Sequence, residues 1–187
     1  LQDQSPNFNT LFVLESNDFL AIHNLWDLFQ LNGDEIVRDI ELMHPSPRNS
    51  TDISEHAVLE NQEDIYIKEG ATIEAGCVLN ANKGPIYIGE NATIMSGSQI
   101  RGPVAICKDA IVKLGARIYS DTTIGPVCKV GGEVSNTVFH SYSNKAHDGY
   151  IGNSVVGQWC NFGAGTTISN LKTNYSNIKL ADWETNE

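Results

Sequence analysis

Aliphatic side chains recur at every sixth position through the middle of this chain. The members of this column are Ile88, Ile94, Ile100, Ile106, Val112, Ile118, Ile124 and Val130. A period of six is a multiple of the two-residue period of a β-strand and does not fit the 3.6-residue period of a helix. Each member therefore points to the same side of an extended backbone, and the column predicts a series of short strands.

A second column, of small or β-branched residues, follows each aliphatic residue by four positions. Its members are Ala92, Ser98, Val104, Ala110, Ala116, Thr122, Cys128 and Val134. Both columns also occur over residues 67–79 and return at Val156 and Phe162. The step from Leu79 to Ile88 is longer than six, which predicts a bulge or loop between them.

Three such hexads make one triangular coil, with aliphatic side chains stacked inside and small ones near the corners. The repeat therefore predicts an all-β fold, a left-handed parallel β-helix of the hexapeptide-repeat type. We place this solenoid at residues 61–180 and a C-terminal tail at 181–187. An ordinary antiparallel β-domain is the alternative fold.

Residues 1–60 are predicted to form a short N-terminal helical arm or interdomain linker. Apolar spacing over residues 24–31 indicates a helix that ends at Asn32-Gly33. Asn32 with Glu35 resembles a capping box, which would open a second helix that runs to about residue 42. These helices would either cap one open end of the solenoid or have a function of their own.

Charge is distributed unevenly between this arm and the rest of the chain. The net charge is −11, and residues 1–60 carry eleven acidic side chains against only Arg38 and Arg48. The rest of the chain is nearly neutral and has no basic stripe, so we expect no nucleic-acid partner. No apolar run approaches the length of a membrane span, so we expect no membrane partner either.

Three of the four cysteines, Cys77, Cys128 and Cys160, fall in the column of small residues, and Cys107 follows Ile106. Packing accounts for the three in the column, and the spacings match no zinc pattern. We therefore expect structural free thiols, no metal site, and a reducing, cytoplasmic location.

The aliphatic column is interrupted between Asn136 and Tyr150. In a solenoid, such an interruption predicts a loop that leaves the body, so we place a loop insertion at residues 136–150. This segment concentrates polar side chains, including His140, Lys145 and His147. Loops on rigid scaffolds commonly carry function, so the segment is the first candidate for a site.

Two segments in and after this loop carry a family resemblance. Residues 143–153 read SNKAHDGYIGN, and residues 160–170 read CNFGAGTTISN. Both resemble the acetyltransferase half of the bifunctional N-acetylglucosamine-1-phosphate uridyltransferase/glucosamine-1-phosphate acetyltransferase (GlmU) family. Residues 25–42 are similar to the linker in GlmU-like sugar nucleotidyltransferases of Bacteroidetes type. The resemblance covers about residues 60–175 and implies that a nucleotidyltransferase domain precedes this chain.

The resemblance implies an acetyl-CoA-dependent acetyltransferase that acts on an amino-sugar phosphate or a related sugar. It assigns the catalytic base to His147 and substrate contacts to Tyr150, Asn161 and Asn170. Gly163 and Ala164 are expected to let the pantetheine arm of acetyl-CoA approach the backbone. An imidazole with an ordinary pKa near 6.5 can accept the proton that an attacking amine loses near neutral pH.

Two positions depart from the family pattern. The family's sugar-phosphate arginine meets Tyr119, and its phosphate-binding lysine meets Thr137. Arg117, Lys145 and Lys172 are the candidates to replace them in binding the substrate. The departures imply a different acceptor or a loss of catalysis.

The alternative function is therefore a non-catalytic trimerisation or regulatory β-helix domain of a sugar-1-phosphate nucleotidyltransferase. A third function, that of a zinc carbonic anhydrase of β-helix type, needs three converging histidines. Only His140 and His147 lie in the repeat body. Relatives of this fold also imply a homotrimer with active sites between subunits.

Overall fold

The computed structural model describes residues 20–45, 52–169 and 171–177 of the chain. In this part, a helix precedes a parallel β-solenoid of about six turns. The predicted β-helix is thereby confirmed. Its strands pair in parallel with those one coil away, so the antiparallel alternative is wrong.

Within the described residues, sixteen strands form three faces. The first face consists of β1 (Asp52–Ile53), β4 (Thr72–Ile73), β7 (Thr93–Ile94), β10 (Ile111–Val112), β13 (Lys129–Val130) and β15 (Asn144–Lys145). The second face consists of β2 (Val58–Glu60), β5 (Val78–Asn80), β8 (Gln99–Arg101), β11 (Arg117–Ile118) and the first halves of β14 (Glu133–Phe139) and β16 (Tyr150–Val156). The third face consists of β3 (Ile65–Ile67), β6 (Ile86–Ile88), β9 (Val104–Ile106), β12 (Thr122–Ile124) and the second halves of β14 and β16.

The two columns read from the sequence form the core. Every residue of both columns between Ile88 and Val134 is buried. Ile94, Val112 and Val130 follow one another in register on the first face, so the aliphatic side chains stack from coil to coil. Full burial of one such side chain stabilises a fold by roughly 1.5–3 kcal/mol. The continuous column is therefore the main source of stability.

Left-handed backbone conformations form the corners between the faces. The first corner, which follows the first face, has glycines with positive φ: Gly76, Gly97, Gly115, Gly132 and Gly165. The second corner has Asn61, Asp121, Asn136 and Asn153. The third corner, which leads back to the first face, has Gly70, Asn91, Asp109, Val127, Tyr142 and Trp159. Asn and Asp tolerate this conformation better than other L-residues, which accounts for most of these choices.

The segment 136–150 lies within the walls of the solenoid and does not leave it as a loop. Phe139 continues the buried column in register with Ile124, and Lys145 continues it in register with Val130. The prediction of a loop insertion is wrong because an aromatic side chain and a lysine stem fill positions that aliphatic residues fill elsewhere. The coil is also shorter here, which breaks the six-residue step. Lys129 pairs with Asn144 after a step of 15 residues, whereas Ile111 pairs with Lys129 after a step of 18.

One helix, α1 (Asp27–Met43), replaces the two predicted helices and runs through Asn32 and Gly33. The Asn32 amide donates to the Asp121 carbonyl at 2.8 Å and accepts from the Thr123 hydroxyl at 2.8 Å. A Cβ on Gly33 would lie 2.0 Å from Asp121 Oδ1. These two residues therefore hold the helix against the solenoid and do not end it. The helix contacts β9, β12, β14 and β16, so it covers the third face and caps no open end.

The solenoid begins at Asp52, earlier than the predicted boundary at residue 61, because β1 pairs with β4 and β2 pairs with β5. The predicted tail, 181–187, lies outside the described residues. All four cysteines are free thiols, and Cys77 and Cys128 are buried in the core as their column positions predict.

Candidate functional site

His147 lies at the first corner, in the turn that joins β15 to β16. Its side chain is exposed, and its imidazole makes no hydrogen bond to a described residue. Its main-chain carbonyl accepts a hydrogen bond from Lys145 Nζ at 2.8 Å. The structure thus presents the imidazole to solvent while it fixes the backbone that carries it.

Lys145, a predicted substrate ligand, points into the solenoid. Its side chain is 2% exposed, and its ammonium also donates to the carbonyl of Gly131 at 2.9 Å. Burial lowers the pKa of this ammonium, and the nearby Asp148 carboxylate partly opposes that shift. The position that the structure gives Lys145 supports the corner from inside and does not offer its charge to a substrate on the surface.

The first corner has fewer residues in the coil before His147 than in the earlier coil. Four residues form this corner between β10 and β11, and only Gly131 and Gly132 form it between β13 and β14. A Cβ on Gly132 would lie 2.9 Å from Lys145 Nζ and 2.7 Å from the carbonyl oxygen of Gly149. Glycine is therefore needed here, because the short corner packs directly against the turn that carries His147.

Gly163 and Ala164 belong to the same corner one coil further on. Asn144 pairs with Asn161, and Ile151 with Ile168, so a step of 17 puts Ala164 next to His147. The Gly165 N–H donates to the carbonyl of Asp148 at 3.0 Å, which ties the two turns together. Gly163 and Ala164 are exposed, so backbone and small side chains face solvent beside the imidazole.

Tyr150 and Asn161 lie on opposite sides of this corner. Tyr150 begins β16 on the second face, and its hydroxyl lies over Gly152, where a Cβ would come within 2.1 Å of it. Asn161 is exposed on the first face. Asn170 lies outside the described residues. The structure thus groups His147, Gly163 and Ala164 at one corner, with Tyr150 and Asn161 on the two faces that flank it.

The second face carries a pocket of about 320 Å³ that is lined by Arg101, Arg117 and Tyr119, among others. Arg117 is in register with Glu133, which is in register with Tyr150, so the pocket lies on the same face as Tyr150. Arg117 Nε lies 3.4 Å from Glu133 Oε2. Arg101 has no ion-pair partner in the described segments. The guanidinium groups of Arg101 and Arg117 therefore lie near Tyr119, the position at which the resemblance expects a sugar-phosphate arginine.

Thr137, the second departure, and Lys172, a candidate replacement, lie in different surroundings. Thr137 is fully buried, and its hydroxyl donates to the carbonyl of Ser135 at 2.8 Å. Lys172 is exposed, and its ammonium donates to the carbonyl of Asn177 at 3.0 Å. Of the three candidate replacements, Arg117 alone lines the pocket on the second face.

Sequence reasoning missed Arg101 and the aromatic pair Tyr142 and Trp159. The two aromatic rings stack with their centroids 4.9 Å apart. Both signals were present in the sequence. When the coils are aligned face by face, Gln99 pairs with Arg117. Arg101 and Tyr119, each two residues further on, therefore occupy equivalent positions. The same alignment puts Tyr142 and Trp159 at the third-corner position that Asn91 and Asp109 occupy earlier.

Within residues 20–45, 52–169 and 171–177, no group of three or more His, Cys, Asp or Glu side chains is placed to hold a metal ion. Over the same ranges, the helix is too short and too polar to cross a bilayer.

Comparison with known proteins finds distant relatives and no matching family model. The bifunctional protein GlmU of Clostridium acetobutylicum is 31% identical over 130 residues, which span 65% of this chain and 28% of that protein. The bifunctional protein GlmU of a Nostoc species is 25% identical over 179 residues, or 89% of this chain and 37% of that protein. That of Clostridium kluyveri is 31% identical over 134 residues, or 63% and 29%.

The chain therefore spans about a third of the length of these relatives. The similarity is distant but covers much of the chain. Together with the solenoid of short parallel strands, it is consistent with the hexapeptide-repeat acyltransferase class.

Proposed function

We propose that this chain is an acetyl-CoA-dependent acetyltransferase domain that acts on an amino-sugar phosphate or a related sugar. The observation that carries the proposal is the corner at which exposed His147 lies next to Ala164 in the neighbouring coil. The distant similarity to GlmU proteins supports the same reading. In this proposal, His147 is the proton acceptor and the turn of Gly163 and Ala164 receives the pantetheine arm.

The proposed chemistry assigns one proton to the imidazole. The amine or hydroxyl of the acceptor attacks the thioester carbonyl, a C–N or C–O bond forms, and the C–S bond breaks. His147 takes the proton from the attacking group and returns it to the leaving thiolate. Lys145 keeps the main chain of this turn in place through the carbonyl of His147. Tyr150, Asn161 and Asn170 remain proposed contacts to the acceptor or to the acetyl group.

Arg101 and Arg117 are the proposed receptors for an anionic group on the acceptor. A guanidinium binds phosphate or carboxylate through two parallel hydrogen bonds, which suits an exposed pocket better than a single ammonium. The pocket that they line is on the face of Tyr150, whereas the buried ammonium of Lys145 is not available to it. The proposal therefore replaces the missing family arginine with this pair.

The proposal is tested by thiol release from acetyl-CoA in the presence of amino-sugar 1-phosphates and the corresponding neutral amino sugars. His147→Ala is expected to lower kcat by 10²–10⁴-fold, the usual contribution of a general base. His140→Ala is the matched control, because His140 is also exposed but lies at the third corner. Arg117→Met is expected to raise KM for phosphorylated acceptors only. A wild-type chain that releases no thiol with any acceptor would contradict the proposal.

The second candidate function is a non-catalytic trimerisation or regulatory domain of a sugar-1-phosphate nucleotidyltransferase. The buried Thr137 favours it, because a side chain with no exposed surface cannot contact a phosphate where the family has a lysine. Titration calorimetry with acetyl-CoA separates the two functions. Binding in the micromolar range supports the enzyme, and no binding at millimolar concentration supports the regulatory domain.

We also propose a homotrimer in the cytoplasm, on the strength of the family resemblance. Tyr150 and Asn161 face different sides of the corner, which suits a site completed by a neighbouring subunit. Light scattering on the purified chain tests the trimer, and a monomer at micromolar concentration would contradict it.

A further inference from the structure

Two parallel columns of side chains run along the C-terminal coils of the solenoid, away from the corner of His147. The third corner presents Val127, Tyr142 and Trp159 in successive coils. The outer side of the first face presents Lys129, Asn144 and Asn161, which pair in register. An apolar column therefore lies beside a column of amide and ammonium groups.

The apolar column occupies backbone positions that bulky residues rarely adopt. Val127, Tyr142 and Trp159 have φ values of 61°, 53° and 59°, in the left-handed region. Earlier coils place Asn91 and Asp109 at the same corner position, where such residues tolerate the conformation. A non-glycine residue held there costs of order 1–3 kcal/mol, and such residues cluster at ligand-binding sites. Burial in the core does not explain these choices, because Val127, Tyr142 and Trp159 are 38%, 46% and 76% exposed.

A cavity of about 410 Å³ lies between the two columns and is lined by all six of these residues, with Ser143 and Cys160. The ring of Tyr142 stacks on that of Trp159 at an interplanar angle of 9°, which fixes the indole plane at the cavity. Asn144 Oδ1 is buried and has no hydrogen-bond partner among the described residues. Because Asn144 lines the cavity, this unpaired acceptor belongs to its wall. The volume is within the range of small-molecule sites.

We propose that this cavity binds a neutral hexopyranoside, with the apolar face of the sugar ring on the indole of Trp159. The hydroxyl groups of the sugar would meet the ammonium of Lys129 and the amides of Asn144 and Asn161. A nucleotide or coenzyme would also stack on an indole, but its phosphates need several cations. Lys129 is the one basic residue that lines the cavity in the described part of the chain. The charge of the cavity therefore favours a neutral sugar.

This site is separate from the proposed acetyl transfer, although Asn161 borders both. It requires neither His147 nor acetyl-CoA, and it binds sugar whether or not the chain is an enzyme. The binding test below is therefore also run on His147→Ala, which is expected to bind the sugar as the wild type does. Failure of acetyl transfer and failure of sugar binding are thus observed separately.

The test follows indole and amide N–H signals by NMR during titration of the chain with methyl β-glucopyranoside, methyl N-acetyl-β-glucosaminide or adenosine. The signal of Trp159 is expected to shift saturably with at least one glycoside, with a Kd on the order of 1–10 mM for a single ring. Adenosine can stack on the indole but offers fewer hydroxyl groups to the first face, so it is expected to cause a smaller shift than the glycosides. Trp159→Asn removes the ring but suits the left-handed backbone, so it is expected to fold and to weaken binding at least tenfold.

Trp26→Phe is the matched control, because Trp26 is a partly exposed tryptophan that precedes α1 and does not line this cavity. It identifies one of the remaining indole signals and is expected to leave glycoside binding unchanged. Three outcomes would overturn the proposal: no saturable shift with either glycoside, full affinity in folded Trp159→Asn, or a saturable shift with adenosine that exceeds those with the glycosides.

Discussion

The ammonium of Lys145 donates a hydrogen bond of 2.8 Å to the main-chain carbonyl of His147 and so ties the exposed corner to the interior of the solenoid. The same ammonium donates to the carbonyl of Gly131, which lies in the preceding coil. One buried side chain therefore bridges two turns of the first corner. This relationship makes Lys145 a positioning residue for the candidate proton acceptor.

We expect Lys145→Met to lower the free energy of unfolding by about 1–3 kcal/mol, because the carbonyls of Gly131 and His147 lose their donor. Urea denaturation measures the change through the midpoint at constant m-value. Lys129→Met is the matched control, since Lys129 is the neighbouring first-face lysine with an exposed side chain. Its effect is expected to stay within about 0.5 kcal/mol. Equal stabilities of Lys145→Met and wild type would show that the carbonyls do not need the ammonium.

Cys107 is expected to make stability depend on pH in the alkaline range. Burial, with a smaller effect of Cys128, raises the pKa of the Cys107 thiol from 9.0 to about 11. The folded protein therefore holds this proton more tightly than the unfolded chain does. The stabilisation is fully present below pH 9 and is lost as the pH rises through 11, an effect of about 2–3 kcal/mol.

Unfolding free energies of wild type and Cys107→Ala at pH 8 and pH 11 measure this contribution. The variant is expected to lose less stability over that interval, whatever its stability at pH 8. Cys160→Ala, at the edge of the last coil, is the matched control and is expected to lose as much as wild type. A Cys107→Ala variant with the wild-type pH dependence would assign the alkaline loss to other groups.

The contact between Gly33 and Asp121 predicts that a better helix former will destabilise the protein. Alanine favours an isolated helix over glycine by about 1 kcal/mol. In this fold, however, a Cβ at position 33 would overlap the Asp121 carboxylate, and such overpacking costs about 1–3 kcal/mol. Gly33→Ala is therefore expected to lower the thermal midpoint, whereas Gln30→Ala, on the exposed side of α1, is not.

Asp121→Gly tests the cause of that loss. It removes the atoms that a new Cβ would meet, and glycine adopts the φ of 61° at this corner without strain. The double variant Gly33→Ala with Asp121→Gly is expected to recover most of the stability that Gly33→Ala loses relative to its parent. If the stability losses of the two single variants simply add in the double variant, a contact other than that with Asp121 destabilises Gly33→Ala.

Strain at the third corner predicts a reciprocal pair of stability changes. Val127 is a β-branched residue at φ 61°, and Asn91 holds the corresponding place two coils earlier at φ 55°. Val127→Asn is expected to raise the free energy of unfolding by about 1 kcal/mol, and Asn91→Val to lower it by at least as much. Asn91 also donates to Asp109, so its replacement loses a hydrogen bond as well. Changes of the same sign in both variants would contradict the assignment of strain.

The regular part of this fold could be predicted from the sequence because each hexad repeats the same spacing of buried aliphatic and small residues. Ile94, Val112 and Val130 are buried in register, as their spacing predicts. The prediction failed where an unusual residue fills a column position. The sequence favours Lys145 as a surface ligand, whereas in the fold its apolar stem fills a column position and only its tip is charged. Its two carbonyl partners exist only after the coils stack.

Tertiary contacts explain the other errors. Asn32 and Gly33 have the composition of a helix end, but the sequence does not show that Asp121 and Thr123 meet them from residues about ninety positions away. Within the candidate site, His147, Gly163 and Ala164 were named from their motif, and the step of 17 brings them together. Arg101 and Trp159 were not named, because their places depend on the alignment of whole coils.

The shortened coil between Lys129 and Asn144 has a consequence for how a solenoid of this kind can vary in length from coil to coil. The first corner has two residues fewer between β13 and β14 than between β10 and β11, yet the strands on both sides of it stay in register with their neighbours. Deletions at a bend thus leave the stacked interior in register, provided that a long side chain such as Lys145 donates to the carbonyls of the shortened corner and of the turn above it.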